Sequence, residues 1–278
     1  MIKIIFAQPR TGKTAYMTYL LYKYCFDEER NLSMRQAIRN KNANGFKLTA
    51  PTHCVSANYD LTLNKFGYYT RHNRKINPFR LGYSNKYVKT HYNFPFEVIG
   101  ITEAQKYLNS RNVFIPGWQS RWYEQHGHNN LEILLDTQRP KLIDVNIRDL
   151  ASFYEIRSMR VFYNRYGEIK KVVWRIRVLD NNAAFERYLE SGKTLKNYKE
   201  ITEVADFNVF DCYNSEGCEP YFYEGRLNND IDYQTSEPIG NTWADYFKYF
   251  KTNDDSMPEG YFKERNLTSN KEKKDDVQ

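Results

Sequence analysis

No apolar run in the 278 residues approaches the roughly 18 that a membrane-crossing helix requires. The longest apolar stretches, such as Val172 to Trp174, are strand-sized. The chain opens directly on MIKIIF, without the basic segment and apolar segment of a secretory signal. A cytoplasmic location in a host cell, peripheral to a membrane or attached to a virion at most, is the expectation. Cysteine is sparse: Cys25, Cys54, Cys212 and Cys218 include no C-x-x-C pair and have no paired histidines beside them. That argues against a zinc site and for reduced thiols. His126 and His128 in QHGHNN are too few to hold a metal and read as loop structure. Acid is missing altogether between residues 61 and 96, where seven Lys or Arg (Lys65, Arg71, Arg74, Lys75, Arg80, Lys86, Lys89) alternate with nine Phe or Tyr.

What is present is mostly basic. The formal charge is +7, and it runs +11 over residues 1–100, +5 over 101–200 and −9 over 201–278. A basic body with an acidic tail points to a polyanionic partner for the body. The acid-free stretch 61–96 suits a nucleic-acid backbone and stacked bases. It equally suits a solvated insertion whose tyrosines pack on the core.

The pattern along the chain is strand, tight turn, helix. KIIF and its neighbours form a short buried strand, and Tyr16, Met17, Leu20, Leu21 and Tyr24 fall near helical spacing. Residues 30–50 have only weak helical character. His53 to Leu61, Phe96 to Ile101 and Leu131 to Gln138 read as strands, the second running into a helix. ASFYEIRSMRVFYN and KKVVWRIRVLD read as a hairpin turning at Gly167. Residues 182–192 are a candidate helix, and from Lys251 the chain is polar and flexible in character. Strands alternating with helices predict an α/β fold with a mostly parallel central sheet and an added antiparallel hairpin.

The chemistry concentrates in AQPRTGKTAY, Ala7 to Tyr16. A phosphate loop reads G-x-x-x-x-G-K-[ST]; here Ala7 holds the first glycine's place and Gly12, Lys13 and Thr14 follow the pattern. Ala7, Pro9, Arg10, Thr11, Gly12, Lys13, Thr14 and Ala15 are the candidate nucleotide-binding residues. Backbone N–H groups of such a turn cradle phosphates at the helix N-terminus. Lys13 reaches the β- and γ-phosphates, and Thr14 offers a hydroxyl to Mg²⁺. Ala7 is a modest departure at negative φ and a serious one at positive φ. In FEVIGITEAQ, Thr102 stands where an aspartate would hold the Mg²⁺ shell, contacting it through water, and Glu103 either orients the attacking water or only begins a helix. Gln138 in DTQRP is a γ-phosphate sensor or a polar strand cap. Arg139 and Arg148 are either arginine fingers for a neighbouring subunit or surface residues.

Together AQPRTGKTAY, ITEAQKYL and HGHNNLEILLDTQRPKLIDVNIRDL resemble the zonular occludens toxin (Zot) domain of filamentous phages, P-loop ATPases of the FtsK/HerA superfamily. That family's pattern has a His-Arg-His segment, a buried strand ending in Thr-Gln, then Ile-Arg. This chain has His126-Gly127-His128, Thr137-Gln138 and Ile147-Arg148 in that order. VFDCYNSE resembles the family's closing aromatic-rich segment, so the likeness covers residues 1–216, with an acidic tail over 217–278. The resemblance implies a RecA-like fold, ATP with Mg²⁺, ring oligomers such as a hexamer, and a role with DNA in genome packaging or with virion and capsid proteins in assembly and extrusion. It carries nucleotide-site roles to Lys13, Thr14, Glu103 and Gln138. Ala7 and Arg10 replace usual glycines, Thr102 the usual aspartate and Gly127 the usual arginine. The alternatives are a hydrolysis-poor ATP-binding switch, or a nucleic-acid-binding protein with a vestigial loop.

Overall fold

The computed structural model describes residues 1–48, 55–65, 69–82, 84–85, 90–91, 94–109, 111, 115–191, 198–213, 230–232 and 237–239. Eight strands form the central sheet: β1 (Ile2–Phe6), β2 (Val55–Ala57), β3 (Arg74–Lys75), β4 (Val98–Ile101), β5 (Glu132–Thr137), β6 (Ala151–Tyr163), β7 (Ile169–Leu179) and β8 (Lys199–Ala205). Their order is β8-β7-β6-β1-β5-β4-β2-β3. From β6 to β3 every pairing is parallel; β7 and β8 add to the β6 edge antiparallel. The fold is the expected α/β architecture with a mostly parallel central sheet, with one antiparallel strand, β8, more than the hairpin alone.

Two-residue periodicity sorts β1 between two cores. Ile2, Ile4 and Phe6 face one layer, where Phe6 meets Phe185 edge-on at 5.5 Å and Phe153 stacks on Phe185 at 4.3 Å. Ile5 faces the other, beneath helix α1 (Lys13–Cys25), which contributes Tyr16, Met17, Leu20 and Leu21. In β5 the same alternation puts Ile133 and Leu135 in the first core and Leu134 against the α1 layer. α1 is buried on nearly every side; Tyr19 stacks at 5.3 Å on the fully buried Trp174 of β7. Fully buried, such a ring contributes about 1.5–3 kcal/mol through lost water contact.

Residues 28–43 form a full helix, α2 (Glu28–Ala43), where the apolar pattern suggested only weak helicity. The Asp27 side chain accepts a bond from the Arg30 N–H at 3.0 Å, and two acids occupy the first turn. Capping and dipole complementarity stabilise what amphipathicity alone does not. β2 is shorter than the expected strand, and β4 runs into a 3-10 turn, Ala104–Lys106, rather than a helix. Helix α3 is Gly117–Glu124, α4 is Val145–Asp149 and α5 is Asn182–Glu190.

The basic stretch 61–96 is largely structural where it is described. Leu61, Leu63, Ile76, Phe79 and Leu81 are buried. Arg74 is buried and ion-paired with Glu97 at 2.7 Å, Lys75 pairs with Asp60 at 3.3 Å, and Arg71 donates at 2.7 Å to the Cys25 carbonyl at the end of α1. Lys86 and Lys89 lie outside the described residues, as do Cys54, Cys218 and most of the acidic tail; Cys25 and Cys212 are buried. Among the described residues no helix is long and apolar enough to cross a membrane.

Candidate nucleotide-binding site

Strand β1 ends at Phe6 and α1 begins at Lys13, so Ala7 to Gly12 form the turn. Gly12 caps the helix at φ 85°, a left-handed conformation that costs glycine nothing. A Cβ there would lie 2.3 Å from the Met159 sulfur of β6. No side chain caps α1 and no acid sits in its first turn. The helix end therefore offers N–H groups and the positive dipole end to an anion. Ala7 is not among the positive-φ residues, so the missing glycine costs no strain at that position. The strain lies at Arg10, at φ 60°. Thr11 Oγ1 closes the turn on the Gln8 carbonyl at 2.6 Å.

Beneath the loop lies a carboxylate that the spacing argument passed over. Thr14 Oγ1 donates to Asp136 Oδ2 at 2.7 Å, while Asp136 Oδ1 is buried with no partner. Asp136 is the penultimate residue of β5, on the face that Leu134 turns toward α1. Burial pushes its carboxyl up to about 6; the Thr14 bond and the Lys13 charge pull it down, and Glu103 pushes it up again. These opposing influences place Lys13, Thr14, Asp136 and Glu103 in one electrostatic cluster. The signal was in the sequence: LEILLD is an apolar strand ending in an acid, one residue before the Thr-Gln.

Thr102 does not reach this cluster. Its N–H bonds to Asn58 Oδ1 at 2.9 Å and its hydroxyl lies 3.3 Å from the same oxygen. The Thr102 hydroxyl, just beyond β4, is thus engaged by Asn58 rather than by Asp136. Glu103, one residue on, adopts φ 51° and turns back toward β5. Its carboxylate accepts from Gln105 and, at 3.5 Å, from Gln138 Nε2. Thr137 Oγ1 donates to Gln105 Oε1 at 2.6 Å, which joins the ends of β4 and β5. Gln138 and Arg139 are exposed. Arg148 is engaged within the chain: Nη1 donates to Glu186 Oε1 at 2.7 Å and Nε to the Ile143 carbonyl at 3.1 Å. An arginine finger needs a free guanidinium, so the structure speaks against that use of Arg148. His126 and His128 lie on a 3-10 turn, and His126 bonds the Tyr123 carbonyl.

A cavity of about 250 Å³ opens beside the loop, lined by Arg10, Gly12 to Ala15, Met159, Phe210 and Tyr213. The two aromatics belong to the 3-10 turn Val209–Cys212 and its cap, with ring centres 6.4 Å apart. The turn can hold a triphosphate and the aromatics a base.

No protein-family model and no curated protein matches this chain. Among solved structures it is similar to the N-terminal domain of zonular occludens toxin from Neisseria meningitidis, at 20% identity and a TM-score of 0.43, covering 77% of this chain and 98% of that one. It is also similar to the genome packaging NTPase B204 from Sulfolobus turreted icosahedral virus 2 in complex with ATP-gammaS, at 12% identity and a TM-score of 0.31, covering 72% and 95%. The DNA-packaging ATPase B204 from Sulfolobus turreted icosahedral virus matches at 9% identity and a TM-score of 0.32, covering 74% and 97%.

Proposed function

We propose that this protein is an ATPase of a phage or mobile element that couples ATP hydrolysis to DNA packaging, translocation or virion assembly, working as a ring of identical subunits. The observation that carries the nucleotide reading is the Thr14–Asp136 pair beneath the uncapped N-terminus of α1. The unpartnered Asp136 Oδ1 fits a divalent cation: it is a buried acceptor lacking a donor, beside a hydroxyl of ligand chemistry. We assign the magnesium site to Thr14 and Asp136 in place of Thr102. A bound magnesium ion would supply positive charge to the β- and γ-phosphate oxygens.

Each remaining role follows from position. Lys13 neutralises the phosphates as charge shifts toward the leaving group. Glu103 accepts a hydrogen bond from the attacking water, and Gln138, hydrogen-bonded to Glu103, reports the γ-phosphate to it. Arg139, exposed at the same sheet edge, is the candidate to reach a neighbouring subunit's phosphates. Phe210 and Tyr213 stack on the base. Because the metal carboxylate comes from β5, the threonine at 102 is no handicap to turnover, which favours an engine over a hydrolysis-poor switch.

The test is Mg²⁺-dependent ATP hydrolysis, with and without single- and double-stranded DNA, beside Lys13→Ala. Positioning and charge stabilisation dominate phosphoryl transfer, so the variant should lose on the order of a hundredfold or more in rate. Undiminished turnover in Lys13→Ala refutes the assignment, and ATP binding without turnover in the unaltered protein favours the switch.

A further inference from the structure

From the geometry of the β6–β7 hairpin we infer that its tip is a contact surface for single-stranded nucleic acid, an inference that rests on the DNA-motor reading above. β6 runs parallel to β1 only from Ala151 to Glu155, which pairs with Phe6. It then continues to Tyr163 in the same direction, past the edge that carries the phosphate loop. Eight further residues at about 3.3 Å each carry the arm roughly 25 Å beyond that edge. β8 accompanies β7 only as far as Val172, opposite Ala205. Beyond Val161 and Val172 the hairpin has no lateral strand among the described residues.

That unsupported end has an unusual surface. Phe162 is 41% exposed, Tyr163 62% and Tyr166 72%; they are the aromatic members of the large apolar side chains exposed among the described residues. Exposed rings concentrated at one point mark an interaction surface. Cations flank them: Lys171 lies 4.8 Å from the Phe162 ring centre and Arg165 4.7 Å from that of Tyr166. Within residues 160–171, Arg160, Arg165, Lys170 and Lys171 outnumber one acid, Glu168, whose carboxylate accepts from Asn164 at 2.8 Å. Exposed rings with cations over and between them suit unpaired bases on a phosphate backbone. A duplex would offer the rings nothing to stack on. The arm is also joined to the nucleotide site at its base, where Met159 packs against Gly12.

The experiment uses the full chain and a labelled single-stranded oligonucleotide, read by fluorescence anisotropy over a salt series. Phe162→Ala combined with Tyr166→Ala should weaken binding by roughly tenfold or more at fixed salt. Arg165→Ala, Lys170→Ala and Lys171→Ala together should lower the slope of log affinity against log salt by about 2. Nucleotide binding should be unchanged in both, because no tip residue lines the loop or its cavity. Unaltered strand affinity and slope in both variants overturn the tip assignment while leaving the motor reading in place. Unaltered affinity with a smaller oligomer in solution also overturns it, in favour of a contact between copies. An unaltered protein that binds no strand refutes both the tip and the DNA-motor reading, and hydrolysis assayed in parallel shows whether the ATPase reading survives.

Discussion

Replacing Asp136 by asparagine should stabilise the nucleotide-free protein and disable the site at once. Asp136 is 1% exposed, and burial raises its carboxyl from 3.8 to about 6. The native state therefore holds this proton more tightly than the unfolded chain. The sign follows from linkage: the ionised carboxylate costs nothing below about pH 4, costs more between pH 4 and 6, and carries its full cost above that. Two pKa units correspond to about 3 kcal/mol at neutral pH. Asparagine is nearly isosteric and its amide oxygen can keep the Thr14 bond, but its amide nitrogen needs a partner. That second effect takes back part of the gain, leaving about 1–2 kcal/mol.

In magnesium-free buffer at pH 7.5, the variant's melting temperature should exceed the unaltered protein's by a few degrees, at about 2–4 °C per kcal/mol for a domain near this size. At pH 5 most of the difference should be gone, because the unaltered carboxyl is by then mostly protonated while the cost of the unpartnered amide remains. Adding Mg²⁺ and ATP should reverse the order, since binding stabilises only the chain that retains the site. Differential scanning calorimetry at both pH values, with and without Mg²⁺–ATP, reads all three effects. A lower melting temperature for Asp136→Asn at pH 7.5 without ligand would refute the reasoning. It would mean that the carboxylate is stabilising as it stands, and the unpartnered oxygen would no longer argue for a cation.

Two further substitutions probe the frame around the site. Gly12→Ala forces a Cβ into a left-handed residue, at about 1–2 kcal/mol, and against the Met159 sulfur. It should lower both melting temperature and ATP affinity; adding Met159→Ala should relieve the contact but not the backbone strain, and full recovery in the double variant would show that φ was irrelevant. Arg74→Met strands Glu97 in the core without its guanidinium and should cost about 3–5 kcal/mol, whereas pairing it with Glu97→Gln should recover much of that. Chemical denaturation distinguishes the two, and an Arg74→Met chain as stable as the unaltered one would return Arg74 to the pool of nucleic-acid contacts.

Local chemistry was legible in the sequence; long-range pairing was not. The strand–turn–helix around Ala7 to Gly12, the parallel sheet and the Gly167 hairpin follow from turn chemistry and periodicity, which are properties of neighbouring residues. The partners of Arg74 and Arg148 are 23 and 38 residues away, so their charges read as surface features until the fold brings Glu97 and Glu186 beside them. The apolar stripe of α2 is thin for a related reason: its Asp27 cap and first-turn acids stabilise it.

The proposed magnesium carboxylate, Asp136, stands on β5 rather than β4 for the same reason. A phosphate loop needs one acid near its threonine, and in a parallel sheet every strand that neighbours β1 runs toward the loop's edge. Proximity to Thr14 is set by register and by which face of the strand a residue occupies. β5 pairs directly with β1, with Ile5 opposite Asp136, whereas β4 is one strand further out. Asp136 thus stands closer to Thr14 than any β4 residue in the same row. Its even-numbered face points to α1, while Thr137, on the other face, bonds Gln105 instead. A carboxylate before Glu103 would have had to reach across β5 to do the same work. On that proposal the threonine at position 102 marks a place where an acid is not needed, and the opposite result, metal binding that survives Asp136→Asn and is lost in Thr102→Val, would show that the strand order does not govern the site.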